Sequence, residues 1–307
     1  MKIVFSPLYI IELKHKFKTE KFQKTIDLLL KKKVLKIDSI ISPEMPSEKD
    51  LLLAHSKNWV NKIANMSFSS FDSLQAEMPI NKEVIFAHLL HCGGTMLAAD
   101  MALKKRIGIH CGGGSHHAHR NYGAGFCLIN DIAVAAKKLL LKKPSLKILI
   151  IDLDVHQGDG TAEILKKEKN IFTFSMHSKD IYPPKKVKSS LDIELKSKTN
   201  GSEYNSILTE NINKILMIFK PDFIFYNAGA DVFKHDLLGD LSLDFDDIER
   251  RDEIVFNLSF KNKIPLVLTL SGGYAPKIDD TAKIHFNTIK KAIEIYKYID
   301  GSIGLLG

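Results

Sequence analysis

Between Ile148 and Gly160 an apolar run, Ile148-Leu149-Ile150-Ile151, breaks into Asp152, Asp154, His156 and Asp159. A short apolar run before a glycine-rich turn reads as a buried strand. Packing alone does not ask for such a polar ending. Asp152, Asp154 and His156 share parity, so an extended backbone aims all three at one face. Asp and His on one face, followed by Gly158 and Gly160, is ligand spacing for a divalent metal. A strand ending in a polar loop explains one carboxylate near a helix start, but not four titratable groups in eight residues.

The rest of the chain alternates strand and helix. Phe22, Ile26, Leu29 and Leu30 form a helical stripe. Helices are predicted over 83–104, with Gly93-Gly94 as a close-approach point, and from a cap at Asn130 or Asp131 to Leu141. Others are predicted over 161–167, along the Leu208-to-Phe219 stripe, and over 246–258 and 281–298. Strands are predicted at the N-terminus and over 106–110, 147–151, 171–175, 222–226 and 264–270. Alternating βαβ units imply a mostly parallel central sheet between helical layers, a three-layer α/β/α fold. No linker divides the sequence, so 1–307 reads as a single domain.

Ligands in such folds bind beyond the carboxyl ends of the strands, and every polar cluster follows a predicted strand. Gly112-Gly113-Gly114-Ser115-His116-His117 is a flexible loop delivering adjacent imidazoles, suited to general base, metal ligand or solvated turn. Asp152 and Asp159 are available to orient those rings. Asp231 ends Tyr226-Asn227-Ala228-Gly229-Ala230 and is either a helix cap or a third ligand with Asp154 and His156. Tyr274, after Ser271-Gly272-Gly273, could donate to a developing oxyanion. Gly125-Phe126 is a second glycine-rich approach, where Phe126 lines a channel or simply packs.

Composition narrows the classes. The formal charge is +8, but only Arg106, Arg120, Arg250 and Arg251 are arginines. Arginine is the residue of bidentate phosphate recognition, and no aromatics interleave with the scattered lysines. Direct nucleic-acid binding is not expected; the lysines read mostly as a solvated face. No apolar run appears long enough to span a membrane, and no signal peptide is recognisable, so a cytoplasmic location is the expectation. Cys92, Cys111 and Cys127 form no CxxC pair, which argues against a disulfide framework.

Taken together, these residues resemble the zinc-dependent histone deacetylases and their bacterial relatives. The matching pieces are the Gly-Gly-Gly-Ser-His-His-Ala loop, Gly125-Phe126-Cys127 through Asn130-Asp131, Asp152 through Gly160, Asn227 through Asp231, and Gly272-Gly273-Tyr274. His156-Gln157-Gly158, Leu238-Gly239-Asp240 and Arg251-Asp252-Glu253 are most similar to class IV. The resemblance implies an arginase-like α/β fold and one catalytic zinc on Asp154, His156 and Asp231. It implies His117 with Asp159 as general base and acid, and His116 with Asp152 as an electrostatic aid. Tyr274 would polarise the amide carbonyl, while Phe126, Gly125 and Gly273 would contact substrate. It also implies a structural potassium at the backbones of Asp152, Asp154 and His156 with Ser175 and Met176. The expected substrate is an acetyl-lysine or fatty-acyl-lysine protein or peptide.

Two family features have no clear counterpart. For the second tunnel aromatic, Tyr182 is the positional match; a rim acid is not identifiable between Glu77 and Glu83. Rival readings are an acetylpolyamine amidohydrolase of the same fold and a non-catalytic acyl-lysine-binding module. A two-manganese ureohydrolase would need a different carboxylate pattern.

Overall fold

A computed structural model describes residues 1–12 and 15–302. Eight strands form one sheet: β1 (Ile3–Val4), β2 (Ile40–Ile41), β3 (Ile107–His110), β4 (Ile148–Asp152), β5 (Ile171–Ser178), β6 (Leu191–Leu195), β7 (Phe223–Asn227) and β8 (Leu266–Thr269). Their order is β2-β1-β3-β8-β7-β4-β5-β6, and every pairing is parallel. The helices are α1 (Glu20–Lys31), α2 (Glu48–Leu51), α3 (Lys57–Asn65), α4 (Ser70–Gln75), α5 (Lys82–Lys105), α6 (Asp131–Lys142), α7 (Asp159–Leu165), α8 (Gly201–Phe219), α9 (Phe245–Lys261) and α10 (Ile278–Ser302).

Strand alternation divides the core in two. Leu149, Ile151, Ile224, Tyr226, Leu266 and Leu268 face the layer of α1, α8, α9 and α10. Ile148, Ile150, Phe223, Phe225 and Val267 face the layer of α3, α5, α6 and α7. Strands buried on both faces carry continuous apolar runs for this reason. The glycine pair of α5 is a close-approach point, as its sequence suggested. A Cβ on Gly93 would lie 1.8 Å from the Glu44 carbonyl oxygen, and one on Gly94 2.4 Å from His110 Nε2.

Three expectations need correction. The strand after Lys147 stops at Asp152, so Asp154 and His156 belong to a loop and do not share a strand face. Asp154 N instead donates to Asp152 Oδ1 at 3.2 Å, and His156 N to Asp154 Oδ1 at 3.0 Å, folding each carboxylate back on the following backbone. Second, α5 has the length and apolarity to cross a membrane, but 67% of its apolar window is buried inside the protein. Third, β2 and β6 escaped the sequence reading, being a two-residue strand and a half-exposed edge.

Candidate active site

The four clusters come from β3, β8, β7 and β4, which are adjacent in the sheet, and they meet beyond their carboxyl ends. After β3 the backbone turns through Gly113 and Gly114 at φ 73° and 87°, left-handed values that favour glycine. The buried carboxylate of Asp131 holds this turn, accepting from Gly114 N at 3.0 Å and Ser115 N at 2.7 Å. Asn130 completes the support. Its Oδ1 caps α6 by accepting from Ala133 N at 3.0 Å, and its Nδ2 donates to the carbonyls of His116 and Ala118 at 3.3 and 3.1 Å.

The loop so held presents two imidazole–carboxylate pairs. His116 Nδ1 lies 2.7 Å from Asp152 Oδ2, and His117 Nδ1 lies 2.6 Å from Asp159 Oδ1. The second pair is a triad in fact, because His119 Nε2 lies 3.0 Å from Asp159 Oδ2. Beside these pairs, ligand atoms of Asp154, His156 and Asp231 lie within 4.8 Å of one another, the one such group among the described residues. Asp154 Oδ2 accepts from Ser271 Oγ at 2.9 Å and Gly272 N at 3.0 Å. Asp231 Oδ1 accepts from Val155 N at 2.9 Å, while its buried Oδ2 has no hydrogen-bond partner. A buried carboxylate oxygen without a donor is costly, and a cation satisfies it. One imidazole and two carboxylates fit a divalent metal and leave positions open.

A cavity of about 370 Å³ reaches this group, lined by His116, His117, Asp154, His156, Phe126 and Tyr274 among others. The rings of Phe126 and Tyr274 lie 6.0 Å apart, and Tyr182 packs edge-on to His117 at 4.8 Å. Gly125, at φ 50°, passes so close that a Cβ would lie 2.5 Å from His117 Cδ2. Glu77 also lines the cavity, an acid at the edge of the window where the sequence singled out none. Gly273 does not line it; its neighbour Gly272 does. Ser175 and Met176 lie outside it too. Ser175 bonds His177 Nδ1 at 2.9 Å, and Met176 is buried in the core.

The sequence profile of the histone deacetylase domain matches residues 15–289. The chain belongs to the histone deacetylase family. It is 33% identical over 296 residues to an uncharacterized protein of Picosynechococcus sp., covering 96% of this chain and 99% of that one. It is 31% identical to histone deacetylase 2 of Arabidopsis thaliana, covering 89% and 74% respectively. A Staphylococcus aureus acetoin utilization protein, AcuC, is 27% identical, covering 74% and 64%. In fold, the HDA15 HD domain crystal structure matches with a TM-score of 0.76 at 19% identity, covering 99% of this chain and 97% of that one.

Electrostatics separate the two imidazole pairs of this histone deacetylase domain. Burial works against protonating His116, but the charges of Asp152 and Asp154 outweigh it and raise its pKa to about 9. Burial and then the neighbouring His116 charge lower His117 to about 4, against the pull of Asp159. Burial, then the charges of Asp231 and Asp154, push the Tyr274 phenol well above its ordinary value, so it stays a hydrogen-bond donor. Burial and the Asp154 charge raise Asp231 to about 7, the repulsion a bound cation relieves.

Several supporting roles were missed from sequence. Lys21 is 1% exposed; its Nζ donates to the carbonyls of Ser271 and Gly273 at 2.9 and 3.4 Å and sits 5.1 Å from the Tyr274 ring centroid. Asp236 Oδ2 accepts from Tyr274 N at 2.6 Å. Arg251, fully buried, donates to the Gly229 carbonyl at 2.6 Å. The available signal was a charged residue inside an apolar helical stripe, Lys21 beside Phe22 and Arg251 before Val255.

Proposed function

We propose that this chain, residues 1–307 acting as one catalytic domain, is a zinc-dependent lysine deacylase hydrolysing acetyl-lysine or longer acyl-lysine amides. Asp154, His156 and Asp231 would hold the zinc. When bound, zinc supplies Lewis-acid polarisation of the amide carbonyl and acidifies water. His117, neutral at pH 7, accepts the proton of the attacking water through Nε2, since Nδ1 faces Asp159. As an imidazolium it then protonates the departing lysine amine. His116 stays charged and favours the anionic transition state. Tyr274 donates its phenolic hydrogen to the carbonyl oxygen as charge builds there. Phe126 and Tyr182 flank the lysine stem.

The observation that carries this reading is the pair of adjacent buried imidazoles, each on its own carboxylate, beside a buried metal-ligand group. Environments that push neighbouring pKa values apart mark acid–base assignments. The test is turnover of peptides bearing acetyl- to myristoyl-lysine, with zinc measured on the same sample. Turnover should track zinc content; zinc-loaded protein inactive on every peptide would sink the reading.

Acetylpolyamine hydrolysis by the same residues is a second reading, favoured by Glu77. A carboxylate at the cavity mouth suits a cationic amine tail. A kcat/KM for acetylspermidine above that for every acyl-lysine peptide would select it.

A further inference from the structure

Because all strands are parallel, every link from a helix end into a strand lies on the face opposite the cavity mouth. Six such links, residues 31–39, 104–106, 142–147, 166–170, 220–222 and 261–263, carry sixteen lysines and arginines against three carboxylates. Their net charge of +13 exceeds the +8 of the whole chain, so the remainder is net −5. The fifteen lysines are all exposed. Among the described residues only Lys142 of this set is ion-paired, with Asp100 at 2.6 Å.

Helix dipoles favour a cation at each carboxyl end, but the effect fades beyond the last turn. It accounts for one lysine per helix, not for the two to four that five of the six links carry. Backbone conformation argues the same way. Lys33, Arg106, Lys220 and Lys263 take left-handed φ of 56°, 66°, 51° and 57° at the helix ends. Glycine fills that position with least strain. Charge is kept there against conformational preference.

Large apolar side chains stand among these lysines. Ile37, Leu141, Met217 and Ile218 are 75%, 68%, 68% and 73% exposed, at the ends of α1's link, α6 and α8. Exposed lysines close in sequence to exposed aliphatics on one face match an anionic lipid surface, where the ammonium groups meet headgroups and the aliphatics enter the acyl boundary. A nucleic acid fits less well. Arg106 is the one arginine among the sixteen, and these links hold no aromatic residue.

We propose that the helix-to-strand face docks on anionic lipid bilayers, leaving the cavity mouth directed away from the membrane. The inference does not depend on the deacylase reading.

Co-sedimentation with vesicles tests it. The whole chain should pellet with phosphatidylcholine vesicles containing phosphatidylglycerol and stay soluble with phosphatidylcholine alone, and added salt should weaken binding. Replacing Lys143, Lys147, Lys166, Lys167 and Lys169 by Gln should lower binding about tenfold or more. The matched change of Lys179, Lys196, Lys198, Lys234 and Lys277 on the mouth side should leave it unaltered. Ile37, Leu141, Met217 and Ile218 all changed to Ser should lower it several-fold. Thermal melts show that each variant is folded. Equal pelleting with both vesicle types, or equal loss from the two lysine sets, overturns the proposal. So does duplex DNA binding as tight as lipid binding and indifferent to the serine changes, which would assign the face to nucleic acid.

Discussion

His88, His91 and His110 are as deeply buried as His116, yet the two environments hold protons oppositely. Around α5 and β3 the imidazoles face one another and neutral partners. His91 stacks on Tyr9 with ring centroids 4.0 Å apart, and Tyr9 Oη lies 2.9 Å from His110 Nε2. Burial there acts alone or nearly so, lowering His88 to about 4 and His110 to about 3. At the strand ends carboxylates reverse the outcome: burial still opposes the charge, but Asp152 and Asp154 raise His116 to about 9. Burial is thus the common background, and the carboxylate partners decide which imidazoles carry charge. His117 stands between the groups. It has Asp159, but the His116 ring lies only 4.0 Å away, and it sides with the neutral set.

That contrast can be broken most sharply at the two adjacent rings. His117→Ala should cut turnover by about 10²–10⁴-fold, because it removes the proton acceptor. His116→Ala, which removes a fixed charge, should cost at least about tenfold less. Equal losses in steady-state kinetics would erase the distinction. Tyr274→Phe should lower kcat by about 10²–10³-fold with little change in KM. Removing metal should lower the melting temperature, since a cation at 100 times its Kd adds about 2.7 kcal/mol. Asp231→Asn should melt at one temperature with or without chelator.

The neutral group gives a smaller, pH-dependent effect. His88 and His110, and with them the buried His55 just before α3, have folded pKa values below the unfolded 6.5. The unfolded chain therefore binds protons first as pH falls. Their contribution is fully present above about pH 6.5 and is lost progressively down to about pH 4 for His55 and His88 and about pH 3 for His110. His88 has no hydrogen-bond partner on either ring nitrogen. His88→Phe should therefore hold or raise the melting temperature at pH 7 and move the acid midpoint downward, seen by circular dichroism melts across pH. An unchanged acid midpoint would remove His88 from that account.

The sheet and its helices were legible because the strands are buried on both faces and the helices on one, so period and run length carry the signal. The site was legible as a set of residue types at strand ends. Parity named Asp154 and His156 for the wrong backbone reason, since both lie in a turn that carboxylate-to-amide bonds hold. Lys21, and the supporting role of Arg251, were hidden because a lysine or arginine on a surface-type helix reads as solvated. Their burial depends on carbonyls of Ser271 and Gly229, which lie 250 and 22 residues away. Glu77 was hidden because nothing local distinguishes a rim acid from its neighbours.

The left-handed basic residues at the helix ends carry a consequence for anyone reshaping this chain. Lys33→Gly, Arg106→Gly, Lys220→Gly and Lys263→Gly would each relieve a conformational cost of about 1 kcal/mol. A search for thermal robustness would choose them early. Each gain would erase one charge from the same face, so the most heat-resistant descendant would be the least cationic one there. Drift toward durability and retention of that surface pull the same four codons in opposite directions.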